Sequence, residues 1–127
     1  MTLKRIRYCP DNFHFKFQEA IKEIFLLKLA SYLGTGPQLE KDVYFDLLIY
    51  NREIVWPMEM CDTESMIFKQ YDDEYQIERV SQKISAELWE ALRINHMFNI
   101  MHLDIKNDNI AFSPKLNKWI FLDYGMS

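Results

Sequence analysis

Glycine is scarce in this sequence, with three in 127 residues, at Gly34, Gly36 and Gly125. A phosphate-cradling loop needs clustered glycines between a strand and a helix. Gly34-Thr35-Gly36 instead follows a helical pattern and runs into Pro37, so it is a poor match for such a loop. Cysteine is scarce too. Cys9 and Cys61 match no metal-ligand spacing and read as free thiols of an intracellular protein, cytoplasmic or nuclear. There is no basic excess: the formal net charge is −4, which argues against a nucleic-acid partner, because neutralising phosphates needs a basic face. No run approaches the length of a membrane span, and Met1 to Arg7 holds no apolar signal-peptide core, so no membrane role is expected. No repeat or low-complexity tract is visible. What remains is 49% apolar and 27% charged residues, ample for one packed domain.

The pattern along the chain alternates between strand and helix. Thr2 to Arg7 alternates apolar and polar side chains as a short strand would, and Cys9-Pro10-Asp11-Asn12 is a turn cluster. Phe13 to Leu33 turns helical: Phe17, Ile21, Ile24 and Phe25 form a stripe that Leu26, Leu27 and Leu29 widen, predicting a helix gripped on more than one side. Gly34 to Pro37 ends it. Val43 to Tyr50 and Ile54 to Met58 read as two strands joined at Asn51-Arg52-Glu53, with Pro57 placing the second at an edge or near its end. Asp62-Thr63-Glu64-Ser65 is a helix-start signature and Asp72-Asp73-Glu74 a polar break. Ile77, Val80, Ile84, Leu88, Ala91 and Leu92 mark a long amphipathic helix. Asn109 to Ser113 and Lys118 to Leu122 read as strands joined by Pro114-Lys115-Leu116-Asn117. The fold class is α+β.

The chemistry concentrates near the end of the chain, in His102-Leu103-Asp104-Ile105-Lys106-Asn107-Asp108-Asn109 and then Asp123-Tyr124-Gly125. Taken singly, His102 reads as a buried, hydrogen-bonded histidine, and Asp104, Asn107 and Asp108 as turn residues. Together they form H-x-D-x-K-x-x-N followed by D-Y-G, which resembles the catalytic loop and metal-binding turn of the eukaryotic-type protein kinases, serine/threonine type by Lys106. The resemblance implies phosphate transfer from ATP–Mg²⁺ to a protein hydroxyl. That reaction needs a held hydroxyl, a proton acceptor, oxygen ligands for metal and a cation on the nucleotide phosphates. It assigns Asp104 as base, Lys106 as the cation steadying the transferred phosphate, and Asn109 and Asp123 as Mg²⁺ ligands.

The rest of the chain resembles the family from its third strand onward. Lys4, in Thr2-Leu3-Lys4-Arg5-Ile6, takes the place of the strand lysine that holds ATP. Its expected partner is Glu23, nineteen residues on; Glu19, one turn earlier on the same helix face, is the competitor. Ile54 to Asp62 resembles the fifth strand and hinge. The resemblance makes Met58 the gatekeeper, brings the backbone of Glu59 and Cys61 to adenine, and lets Asp62 or Ser65 reach the ribose. It implies a partial kinase-like domain, with residues 1–61 forming part of the N-lobe and the hinge and residues 62–127 the start of a helical C-lobe with its catalytic loop.

The resemblance has departures. A glycine-rich loop before Lys4 and an activation segment after Ser127 are expected to be absent, Leu103 replaces the usual arginine, and Tyr124 replaces phenylalanine, a mild change. From these follow two expectations: that the 127 residues are inactive alone, and that the Val80, Ile84, Leu88 and Leu92 stripe is uncovered and meets a protein substrate or partner. The rival functions are a non-catalytic kinase mimic or structural subunit, and, ranked last because of Lys106, small-molecule phosphotransfer.

Overall fold

The computed structural model describes residues 2–39 and 47–124. The described elements are β1 (Thr2–Arg7), α1 (Phe13–Leu33), β2 (Leu48–Tyr50), β3 (Glu53–Met58), β4 (Asp62–Thr63), α2 (Glu64–Phe68), α3 (Glu74–Met97), β5 (Ile110–Ser113) and β6 (Lys118–Phe121), with 3₁₀ turns at Pro10–Asn12 and Asn107–Asn109. Two three-stranded antiparallel sheets, ordered β1-β3-β2 and β4-β5-β6, make this an α+β structure. Among the described residues no helix is long and apolar enough to cross a membrane.

The first sheet is built by a hairpin whose two turn residues, Asn51 and Arg52, both take positive φ (51° and 60°). That mirror-image turn matches strand twist. Of the strand expected from Val43, the part up to Asp46 lies outside the described residues; β2 begins at Leu48. β3 is the central strand, not an edge. Pro57 is accommodated because β2 pairs only as far as Val55, and β3 ends one residue after the proline. Register pairs Lys4 with Trp56 and Ile6 with Ile54. Side chains alternate faces along a strand, so Lys4 shares the face of Ile6, Ile54 and Trp56, and that face packs on α1.

α1 buries Ala20, Glu23, Ile24, Leu27 and Ala30, a spacing of three and four residues. Ala20 and Ile24 join Ile54 and Trp56 in one apolar cluster, while Leu27 and Ala30 join Ile84, Ala91, Trp119, Phe121 and Tyr124 in another. The helix is thus gripped on two sides, and each large apolar side chain so buried contributes about 1.5–3 kcal/mol. Phe25 departs from its expected place in the stripe: it is 60% exposed, because two residues carry it more than half a turn from Leu27. Gly34 ends α1 in the left-handed region (φ 76°), its N–H capping the helix on the Ala30 and Ser31 carbonyls.

α3 starts at Asp73, whose carboxylate accepts the Tyr75 N–H at 2.9 Å. Its apolar stripe corrects the expectation of an uncovered face. Ile84 is buried, and Val80, Leu88 and Leu92 are partly buried against the same cluster. The cover comes largely from β6, which Glu87 also ties by accepting the Trp119 N–H at 2.6 Å. Asp62-Thr63, read as a helix start, both caps α2 through Thr63 Oγ1 and pairs with β5 as β4.

Candidate functional site

The β5–β6 hairpin sets the site. Its register pairs Ile110 with Phe121, so the residues just outside it, Asn109 and Leu122, face each other and are joined by the Leu122 N–H donating to the Asn109 carbonyl at 2.8 Å. Asp123 leaves the hairpin immediately afterwards with φ 55°. Asn109 is buried. Its amide nitrogen donates to the Asp104 carbonyl at 2.8 Å and to Asp104 Oδ2 at 3.1 Å. That leaves the amide oxygen Oδ1 as the atom Asn109 offers a ligand.

His102 anchors the loop from its other end. The ring is 2% exposed. Its Nδ1 accepts the Asp104 N–H at 3.2 Å and its Nε2 meets the Leu122 carbonyl. A carbonyl only accepts, so the tautomer with hydrogen on Nε2 satisfies both bonds. Leu103 between them takes φ 65°, an unfavourable value for a leucine, and its side chain is exposed. The chain reverses there, which sends His102 inward and returns Asp104 toward Asn109. Lys106 Nζ lies 3.9 Å from Asp104 Oδ2.

Lys4 Nζ, on β1, stands 3.4 Å from Glu23 Oε1 and 3.8 Å from Asp123 Oδ1. The competing partner, Glu19, pairs with Lys16 at 3.2 Å instead. Burial holds the Glu23 carboxyl above its ordinary value; Lys4 pulls it back down and Asp123 adds to the rise. Lys4 therefore sits between two carboxylates, one buried and one half-exposed.

Glu59 and Cys61, expected to form a hinge, are placed less simply. The Glu59 N–H is engaged within the fold, donating to the Gln38 carbonyl at 3.2 Å. The Glu59 side chain is buried and accepts from Ser113 Oγ at 2.8 Å, the Lys115 N–H at 2.9 Å and the Gln38 N–H at 2.9 Å. It clamps the segment after β3 to the β5–β6 turn and to the loop after α1. Nothing in the sequence marked that role, since a lone acid at a strand end ordinarily faces water. Cys61 Sγ lies 3.9 Å from the Glu59 carbonyl, and burial, with Glu59 beside it, pushes the thiol up to about 12.

Tyr124 is the second feature that pattern reading undervalued. It is fully buried, packs edge-on to His102 with centroids 4.8 Å apart, and donates from its hydroxyl to the Thr35 carbonyl at 2.8 Å. Gly125 lies outside the described residues.

Asp123 and Asn109 supply one carboxylate and one amide oxygen. Among the described residues no group of three or more His, Cys, Asp and Glu side chains is arranged to hold a metal ion. Two hard oxygens without a closed cage suit Mg²⁺, which keeps several waters and takes the rest of its ligands from phosphates.

No family model matches the chain. Over 102 residues, 80% of its length, it is 28% identical to the probable serine/threonine-protein kinase cdc7 of Dictyostelium discoideum. The chain spans 9% of that protein. The match points to a kinase-like relationship.

Proposed function

We propose that this chain is the nucleotide-holding and catalytic-loop part of a protein kinase-like domain. On this reading its parent activity is phosphate transfer from ATP–Mg²⁺ to a serine or threonine hydroxyl. The observation that carries the reading is the convergence of Lys4, Glu23 and Asp123 within ion-pair distance beside the loop of Asp104, Lys106 and Asn109. Residues 1–61 act as the N-lobe part with its hinge and residues 62–127 as the C-lobe part.

Each residue then has a task. Lys4, oriented by Glu23, holds the nucleotide phosphates. Asp123 and Asn109 hold Mg²⁺, which when bound neutralises charge on the phosphates. Asp104 accepts the proton of the acceptor hydroxyl; its orientation comes from Asn109 and the His102-bonded backbone. Lys106, 3.9 Å away, steadies the moving phosphoryl group. The Glu59 carbonyl and the Cys61 backbone face the adenine.

The test is ATP affinity by calorimetry with MgCl₂ and with EDTA. ATP is expected to bind more tightly with Mg²⁺, and Asp123→Asn to remove most of the increment, about tenfold for loss of the ion's only carboxylate. Affinity that ignores Mg²⁺ would sink the metal assignment.

A second reading, a non-catalytic module acting by protein binding, is favoured by one observation. Trp89, Met97, Phe98, Met101, Leu103 and Ile105 are all more than half exposed along the end of α3 and the loop after it. Complete absence of ATP binding would select this reading.

A further inference from the structure

Tyr124 carries a hydroxyl where an apolar ring would fill the same space, and the core is built to receive it. Besides donating to the Thr35 carbonyl, the hydroxyl accepts from Asn95 Nδ2 at 3.1 Å. Asn95 is fully buried on the inner face of α3, in line with Ile84, Leu88 and Ala91, and among the described residues its Oδ1 has no partner. Packing alone does not account for an amide there, because an apolar side chain of that size would leave no acceptor unmet. The bond to Tyr124 is what the position gains. The Thr35 carbonyl also accepts the Phe121 N–H at 3.2 Å, so one acceptor holds the chain on both sides of Asp123. Gly36 completes the seat: a Cβ there would lie 3.2 Å from the tyrosine ring. Between these ties Asp123 keeps φ 55°, a region that non-glycine residues occupy only when their surroundings hold them.

We propose that Asn95 and Thr35 are positioning residues which, through the Tyr124 hydroxyl, fix the turn that aims the Asp123 carboxylate at Lys4. The consequence for Mg²⁺ rests on the function proposed above; the geometric claim does not.

The experiment separates positioning from mere packing. Tyr124→Phe alone leaves Asn95 Nδ2 unmet as well as Oδ1 and lowers the melting temperature. Adding Asn95→Leu removes both unmet groups and returns melting to the wild-type value or above it. If the network positions Asp123, this double variant still exchanges its Leu122 and Asp123 amides about tenfold faster than wild type, the loss of roughly one hydroxyl's hydrogen bonding, while α3 amides are unchanged. It also loses about as much of the Mg²⁺ increment in ATP affinity, measured with MgCl₂ against EDTA. Wild-type exchange at Leu122 and Asp123 in the refolded-stable double variant overturns the proposal. Should wild type show no Mg²⁺ increment, the functional reading falls and the exchange result alone decides positioning. If the double variant does not fold, exchange in Tyr124→Phe decides by the same criterion.

Discussion

Cys9 and Cys61 carry the same thiol in opposite settings. Cys9 is exposed, whereas Cys61 is partly buried beside Glu59, and that burial pushes its thiol up to about 12. The thiolate is the reacting form, so at pH 8 iodoacetamide should modify Cys9 and leave Cys61 untouched until urea unfolds the chain. Peptide mass spectrometry reads this directly, and equal rates at the two sites would refute the setting described for Cys61. Glu23 makes a pH prediction. Its carboxyl in the fold is raised above the ordinary 4.5, chiefly by burial, with Lys4 offsetting part of the rise. The folded state therefore holds the proton to higher pH than the unfolded chain does. Below 4.5 both states are protonated and Glu23 contributes no pH dependence; as pH climbs from 4.5 through the folded value, stability is lost. Glu23→Gln cannot ionise. Its stability relative to wild type should improve between pH 4 and pH 8, measured as urea midpoints, and a flat difference would contradict the burial account.

At the scale of elements, the loop that ends α1 matters as much as the helix. Gly36 is buried, and a Cβ on it would stand 2.9 Å from the Ala30 Cβ and 3.2 Å from the Tyr124 ring. Gly36→Ala should lower stability by about 1–3 kcal/mol, the usual cost of overpacking a filled core. Chemical denaturation measures it, and an unchanged midpoint would show that the loop can give way. Such a contact is invisible in sequence, where Gly34-Thr35-Gly36-Pro37 reads only as a helix stop. The helix itself was legible to its end residues, because Gly34 is needed for positive φ and the Phe13 to Leu33 pattern is continuous. The β5–β6 hairpin was legible for similar reasons, its apolar runs being separated by Pro114 to Asn117. Phe25 departs from its expected face because apolar side chains are spread widely around α1, which leaves little periodicity to separate core from surface. The central position of β3 was hidden as well: Pro57 signals a limit to pairing, but not which neighbour stops short. Within the site, the resemblance to the kinase family pointed to the Lys4–Glu23 pair, which the fold brings to 3.4 Å. The Glu59 clamp and the Asn95–Tyr124 bond stayed hidden, since each joins residues far apart in sequence by a single polar contact.

For the whole molecule, the exposed apolar surface lies elsewhere than the helical pattern suggested. The stripe of Val80, Ile84, Leu88 and Leu92 is largely spent on the core, while Trp89 and Met97 are 74% and 66% exposed at the end of α3. They flank a cavity of about 490 Å³ lined also by Leu92, Arg93 and His96. Phe98 and Met101, just after α3, are more than half exposed as well. Contiguous apolar surface of this kind marks contact with another protein or self-association, and a large side chain gains about 1.5–3 kcal/mol on full burial. The isolated chain should therefore self-associate as its concentration rises, visible as a growing weight-average mass in sedimentation. Trp89→Glu combined with Met97→Glu should return it to a monomer with little change in thermal unfolding, because both side chains already stand in water. Leu88→Asp should behave differently: it places a charge against the buried cluster and unfolds the chain instead of dispersing it. A wild-type chain that sediments as a monomer at every concentration would show that this surface is too weakly apolar to drive contact. A Leu88→Asp variant that folds and disperses would place the contact on the stripe after all.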